Sequence, residues 1–419
     1  MRIVRDEGLI AIDKCGTQTR ENPQMSVPRS RSEAPVQGSG VCLLVLALAS
    51  CGGAETQDRS VPPLFALDTV LTIDDERLWS VQTVRFLPDR YLVVNGGSRE
   101  LFLFDQAGVL ESRFGRQGQG PGEFGYIADA AVTGDSIYVL DSLLRRLSMF
   151  VDGEVHDEWS LREVSGAATR IAVLAGGRPV LAVVRRGADG VPPGPNYHRD
   201  SIQFVELAGT GPQRTWRESF AVQGTERMTR FIGEASYGML PQYRTDLSFD
   251  LTPAGVIGTE RRSGWVGIWN WNGDSIALRR HSIDTTHVPD AELESLEADV
   301  ERRARRLEQI GGEADLFRTS ARAAIDRWGG KIPRPVFENL KSDGRTIAVQ
   351  KYEPGESHGS EWLVLDRHGE LQGRWILPGN VRLMTIDGPW LAAVARDSLD
   401  TESILIMALK QTDSTVTNR

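Results

Sequence analysis

The chain has 419 residues, with 48 Lys/Arg against 57 Asp/Glu and a formal charge of −9. A mildly acidic chain with no polybasic stretch lacks the electrostatic footprint of a nucleic-acid binder and has no obvious grip on anionic lipid heads. With only Cys15, Cys42 and Cys51 present, disulfide bonds are not the expected source of stability, which must come from packing.

Residues 1–40 are polar and carry no sustained periodicity. Val41–Ala49 is then a nine-residue apolar run. As a helix it would span about 14 Å, far short of the roughly 20 residues that a bilayer crossing needs. It does suit the apolar region of a secretory signal, with Arg29 and Arg31 upstream. A buried strand would look the same, but the next residues distinguish the two. Leu48-Ala49-Ser50-Cys51 resembles the lipobox of bacterial lipoproteins. That resemblance implies cleavage before Cys51, with Leu48, Ala49 and Ser50 as the peptidase recognition residues. It also implies acylation of the Cys51 thiol and of its freed amine, and two or three acyl chains suffice for stable anchoring. Met25 would give a conventional 26-residue leader. Residues 1–50 hold six Lys/Arg and five Asp/Glu, so their removal takes the remainder to −10. Gly52 rather than Asp after the cysteine points to the outer membrane by analogy with sorting rules, without choosing its periplasmic or surface face.

Beyond a tether at 51–63, residues 64–409 read as one all-β domain, with a polar tail at 410–419. Phe65–Ile73 is an apolar strand with no companion nearby. Tyr91–Phe104 and Ile137–Phe150 then superimpose at an offset of 46 residues. Each runs from an apolar strand through Asn or Asp, a short polar turn and an Arg to a second strand ending in Phe. A repeat of about 40–50 residues with several strands is the sign of a β-propeller blade, whose apolar faces are buried only by stacking. Similar units follow at 80–115, 127–161, 169–216, 247–281, 346–377 and 381–409. The last is one strand short, so Phe65–Ile73 is expected to complete it and close the ring, removing two open sheet edges. Six blades is the expectation. Seven is the competitor, because the interval from Trp216 to Leu247 has room for a degenerate unit.

Between the first two units lies Phe114-Gly-Arg-Gln-Gly-Gln-Gly-Pro-Gly-Glu-Phe124. A phosphate-cradling loop would need Gly-Lys-[Ser/Thr] opening a helix, whereas Glu123-Phe124 leads into a strand. The expected role is a turn-rich connection, with glycines supplying positive φ and Phe124 anchored in the core. Gly115, Gly118, Gly120, Gly122, Phe124 and Ile127, then Gly134–Asp141, Arg146-Leu147 and Phe150, resemble the NHL repeat. More closely, they resemble bacterial six-bladed propeller lipoproteins that carry such repeats. The likeness is clear over residues 80–160 and extends to the helical segment, to Ile332–Phe337 and to the Trp362–Gly369 turn, while blades three and four diverge. It implies fold and export, and brings no defined activity. At these repeat positions Asp141 and Arg146 are expected to tie a turn. Asn95 and Glu100 replace them in the first unit, so an Asp–Arg ion pair is not a chemical requirement.

From Pro289 to Trp328 the β pattern gives way to two helices. Leu293, Leu296, Val300, Ala304 and Leu307 mark one face of the first, which Gly311-Gly312 stops. Its acids lie early and its arginines late, set against the helix macrodipole. Leu316, Phe317, Ala321, Ile325 and Trp328 stripe the second. Packing on the propeller is the plain reading of this hairpin, and a lid or docking element the sharper one.

Propeller lactonases and lyases hold Ca²⁺ or Zn²⁺ in the channel through carboxylates, Asn or His. His156, His198, His281, His287, His358 and His368 form no close pair, though channel ligands need not be neighbours in sequence, and His368 belongs to a blade turn. There is no Gly-x-Ser-x-Gly elbow. Trp265, Trp269 and Trp271 alternate onto one face of a strand, fit for packing between blades or, at a channel mouth, for stacking on a flat ligand. The chain therefore reads as an all-β six-bladed propeller with an inserted helical hairpin at about 289–329, exported and membrane-anchored through Cys51. Its expected activity is binding a protein, peptide or glycan, with no catalytic, cofactor or metal residue assigned. The alternative is a metal-dependent, lactonase-like hydrolase or lyase with Ca²⁺ or Zn²⁺ in the channel.

Overall fold

The computed structural model describes residues 10–11, 62–185, 196–209, 214–232, 235–239, 247–281, 287–309, 311, 314–326, 334–353 and 359–411. The signal segment, Leu48–Ser50, Cys51, most of the tether and the end of the tail lie outside the described residues.

Six antiparallel sheets form six blades. Blade 1 comprises Val81–Phe86, Arg90–Asn95, Glu100–Asp105 and Leu110–Phe114. Blade 2 comprises Ile127–Thr133, Ser136–Asp141, Arg146–Val151 and Glu154–Ser160. Blade 3 starts with Ala167–Leu174, Arg178–Arg185 and Asn196–Ala208, and continues with Thr215–Ile232. Blade 4 comprises Leu247–Thr252, Gly255–Glu260, Trp265–Trp269 and Ser275–Arg280. Blade 5 comprises Phe337–Ser342, Thr346–Lys351, Gly359–Asp366 and Leu371–Pro378. Blade 6 takes Val381–Asp387, Trp390–Arg396 and Glu402–Gln411 from the C-terminal end. Its fourth strand is Phe65–Ile73, paired antiparallel with Glu402–Gln411 from Phe65↔Gln411 to Ile73↔Ile404. Among the described residues, the interval after Trp216 holds no seventh blade. Thr215–Ile232 fills it as an unusually long outer strand, and Ala235–Met239 and the two-residue strand Ile10–Ala11 widen the same sheet.

The first strand of every blade lies against the first strands of both neighbours, so the ring is continuous. Second and third strands are sandwiched between blades and are apolar on both faces, as in Leu92–Val94, Leu101–Phe104 and Val180–Val183. Each gap between successive blades has its own apolar cluster. In the gap between blades 1 and 2, Leu92, Val94 and Leu101 meet Phe124, Ile137 and Phe150. Strands on the outside, such as Ser275–Arg280, are largely exposed, Ile276 and Leu278 included, because nothing stacks on them.

Carboxylates stitch the inner ring together. Asp129 of blade 2 accepts the Ile171 N–H of blade 3 at 3.1 Å and Arg85 Nη2 of blade 1 at 2.9 Å. Asp250 of blade 4 accepts the Ser342 N–H of blade 5 at 3.0 Å. Asp343, in the first turn of blade 5, accepts the Gly388 N–H of blade 6 at 2.7 Å. The ring closes where Glu402 of blade 6, 2% exposed, accepts the Val81 N–H of blade 1 at 2.6 Å and Arg396 Nη2 at 2.6 Å.

Helices α1 (Asp290–Gln309) and α2 (Ala314–Asp326) form the expected hairpin. Arg318 of α2 ties them by pairing with Glu301 at 2.9 Å and Glu308 at 2.7 Å. Those bonds raise the Arg318 pKa, and the Arg318 and Arg305 guanidiniums hold Glu301 at about 2. The hairpin packs on blade 5 through Val288, Leu293, Ile325 and Tyr352, with Tyr352 Oη 3.2 Å from Glu292. Part of the apolar stripe is therefore committed to the propeller.

Glu402→Ala is expected to cost about 2–4 kcal/mol, because it strands the buried Val81 N–H and unpairs Arg396. Urea unfolding would show this as a lowered midpoint at unchanged slope. A loss under about 0.5 kcal/mol would mean that ring closure does not depend on this carboxylate.

Candidate functional site

Alternating strand directions place the starts of all first strands, the turns between second and third strands and the blade-to-blade connections on one face. Most of the irregular chain gathers on this loop face, including the helical hairpin and the Gly-rich connection. Exposed Trp79, Leu143 and Leu399 also belong to it.

Within the ring, two cavities of about 470 Å³ and 450 Å³ share Tyr126, Ala128, Arg170 and Asn339 as lining. The first is polar and adds Gln82, Lys341, Arg382, Arg396 and Glu402. The second adds Ala168, Leu247 and Phe249 and is the less polar end. Lys341 is on the first strand of blade 5 and Arg170 on that of blade 3. Neither side chain has an ion pair or hydrogen bond among the described residues. Burial pushes the Lys341 ammonium down to about 8; the Arg170 and Arg85 charges add to the fall, and Asp250 and Asp129 oppose it. Desolvation outweighs the opposing carboxylates, which also brace the ring. Asp129 also takes the Thr83 hydroxyl and its own Ala130 N–H, and Asp250 takes the Leu251 N–H. Arg382 is also engaged, donating to the Val81 carbonyl at 2.7 Å.

The residues singled out by sequence lie elsewhere. Buried Asp141 accepts the N–H groups of Gly125, Tyr126, Leu143 and Leu144 at 2.7–3.2 Å, which makes it the tie of its turn. Asn95 does the same work in blade 1, accepting the Trp79 N–H and donating to the Arg77 carbonyl, both at 2.8 Å. Arg146 does not pair with Asp141. It reaches Glu158 at 3.3 Å and the carbonyls of Gly120 and Glu123, clamping the Gly-rich connection rather than the turn. Glu100 pairs loosely with Arg113 at 3.8 Å.

The Gly-rich connection folds on its own carboxylate. Glu123 accepts the N–H groups of Gln119 and Gly120 at 3.0 and 2.9 Å and pairs with Arg116 at 2.7 Å, so the amides that a phosphate would use are taken. Those amides and Arg116 hold the Glu123 pKa below the usual range. Gly115 and Gly122 supply φ of 82° and 70°, and Phe124 is fully buried.

Trp265, Trp269 and Trp271 pack in the apolar gap between blades 3 and 4, away from the channel. Gly267 makes room for them, since a Cβ there would lie 2.5 Å from the Trp269 ring and 2.8 Å from that of Trp265. His281 stacks edge-on against Phe337, and burial lowers its pKa. His368 is in the Asp366–Glu370 turn, while His358 lies outside the described residues. Among the described residues, no three His, Cys, Asp or Glu side chains come together as a ligand set. Lys341 lies on a strand that precedes the unit read at 346–377, whereas Arg170 falls within the unit read at 169–216 and belongs to no motif. A lysine centred in an innermost strand would have been the available signal.

The fold and the channel together define a six-bladed propeller. A family model described as DUF5128, 6-bladed beta-propeller, matches residues 69–151, covering most of the closing strand and nearly all of the first two blades. No curated protein sequence matches the chain. Solved structures with similar architecture include a candidate exported protein of Bacteroides fragilis, with TM-score 0.48 and 11% identity over 83% of this chain and 95% of that one. Others are a gluconolactonase of Xanthomonas campestris (0.43, 10%, 83% and 94%) and a virginiamycin B lyase of Staphylococcus aureus (0.42, 9%, 82% and 99%). Such identities transfer no residue roles.

Lys341→Met should stabilise the protein by about 1–3 kcal/mol at neutral pH. The sign follows from the depressed folded-state pKa: below about 8 both folded and unfolded chains are protonated and the fold carries the full penalty. The penalty is lifted as pH rises from about 8 towards 10.5, so the gain from the substitution shrinks over that window. Denaturation series across this range would check it, and a gain that does not depend on pH would contradict it.

Proposed function

We propose that this chain is a lipid-anchored propeller of the cell envelope that binds a ligand at its loop face and holds it without transforming it. The observation that carries this reading is how the channel charges are used. Asp129, Asp250 and Glu402 accept backbone N–H groups of neighbouring blades and act as braces. Ligation of Ca²⁺ or Zn²⁺, which the lactonase-like alternative requires, needs carboxylates or imidazoles turned towards the ion. The cavity offers Lys341 and Arg170 in that place instead. A rigid ring with a preformed concave mouth suits recognition, as small-molecule sites do in general. The apolar run Val41–Ala49 followed by Leu48-Ala49-Ser50-Cys51 supports export and anchoring, and Gly52 supports the outer membrane as destination.

Two measurements test this. Cys51→Ala is expected to accumulate as an unprocessed precursor that incorporates no labelled fatty acid, and normal lipidation of that variant would refute the anchor. Elemental analysis of purified protein is expected to find neither Ca²⁺ nor Zn²⁺ at stoichiometric level. Finding either would favour the lactonase-like alternative over simple binding.

A further inference from the structure

We propose that the loop-face cavity takes a small organic anion, with its oxyanion head between Arg170 and Lys341 and its less polar body against Tyr126 and Phe249. The inference rests on the binding reading above and names the chemistry of what is bound.

Unspent positive charge is the first ground. Arg170 and Lys341 line one cavity from blades 3 and 5 and have no ion-pair or hydrogen-bond partner among the described residues. The other charged groups round the cavity are spoken for: Arg85 with Asp129, Arg396 with Glu402, Arg382 on the Val81 carbonyl and Asp250 on the Ser342 N–H. An entering oxyanion therefore meets available donors, whereas an ammonium would meet two cations. A guanidinium fork can grip two oxygens of a carboxylate or phosphate while a lysine supplies a point charge beside it. In a protein of net charge −9, a cationic recess enclosed by low-dielectric walls also focuses the local field on anions.

Gln82 lines the same cavity. Size and polarity set the rest. Each cavity falls in the range of about 300–1,000 Å³ typical of small-molecule sites. Because Tyr126 and Arg170 line both, the charged end runs into the end bounded by Leu247 and Phe249. That arrangement matches a molecule with an anionic head and an apolar or flat body.

Calorimetric titration of the full chain in detergent with benzoate, phenyl phosphate, benzamide and benzylamine tests the proposal. At least one of the two anions is expected to bind at millimolar concentration or below, and the tighter one identifies the head as carboxylate or phosphate. The amide and the amine should not bind. Arg170→Ala and Lys341→Met should each weaken the anion by about tenfold or more. Lys341→Met is expected to fold at least as stably as the parent, so its loss of affinity cannot be ascribed to unfolding. Binding of benzamide or benzylamine as tightly as the anions, no binding of either anion, or unchanged affinity in both variants would each overturn the proposal. Failed lipidation of the Cys51 variant would leave these titrations untouched, and failed titrations would leave the anchor untouched, so the two readings fall separately.

Discussion

A carboxylate that reaches from one blade to a backbone N–H of the next is the interaction on which this structure depends. Apolar clusters between blades supply most of the driving force, but they are non-directional and would tolerate sliding of one sheet on another. The bonds from Asp129 to Ile171, Asp250 to Ser342, Asp343 to Gly388 and Glu402 to Val81 set the register of neighbouring blades. The last matters most, because it joins residues 321 positions apart in the chain and stands beside the strand Phe65–Ile73 that completes blade 6.

The same bonds determine the character of the channel. Negative charge in the inner ring is consumed in holding the ring together, so the groups left to face the cavity are cations. Lys341 is held there against a desolvation cost that a methionine would avoid. Proteins retain such locally unfavourable groups where binding or chemistry needs them. Stability and the candidate site thus draw on one set of charges, in which carboxylates brace the walls and Lys341 and Arg170 remain available.

Divergence among the blades has a physical pattern. Blades 1 and 2 keep the turn device, Asn95 in one and Asp141 in the other, each gathering backbone groups around a buried polar side chain. Blades 3 and 4 instead rely on bulk, with Phe204, Phe220, Trp265, Trp269 and Trp271 filling the gap between them and Gly267 leaving space for two indoles. Blade 5 receives the helical hairpin, whose Val288, Leu293 and Ile325 settle on Tyr352. The matched family segment stops at the end of the third strand of blade 2, before these departures begin.

Architecture was legible in the sequence because it rests on local periodicity. The 46-residue offset, the unpaired strand Phe65–Ile73, the helical stripe after Pro289 and the glycines before Phe124 each announced their structural part without reference to distant residues. Where a local signal weakened, legibility failed with it: Thr215–Ile232 left room for a seventh blade, and Phe337–Ser342 went unrecognised as an innermost strand. The candidate site was not legible at all. Gln82, Arg170 and Lys341 lie on three blades and share no motif, and a charge in a strand has no meaning until the ring decides what it faces. The same holds for Arg146, whose partner proved to be Glu158 rather than Asp141. Sequence alone determined that blades form and in what order. Only ring closure decided which charges pair across blades and which are left facing the cavity, because pairing depends on distances that sequence spacing does not encode.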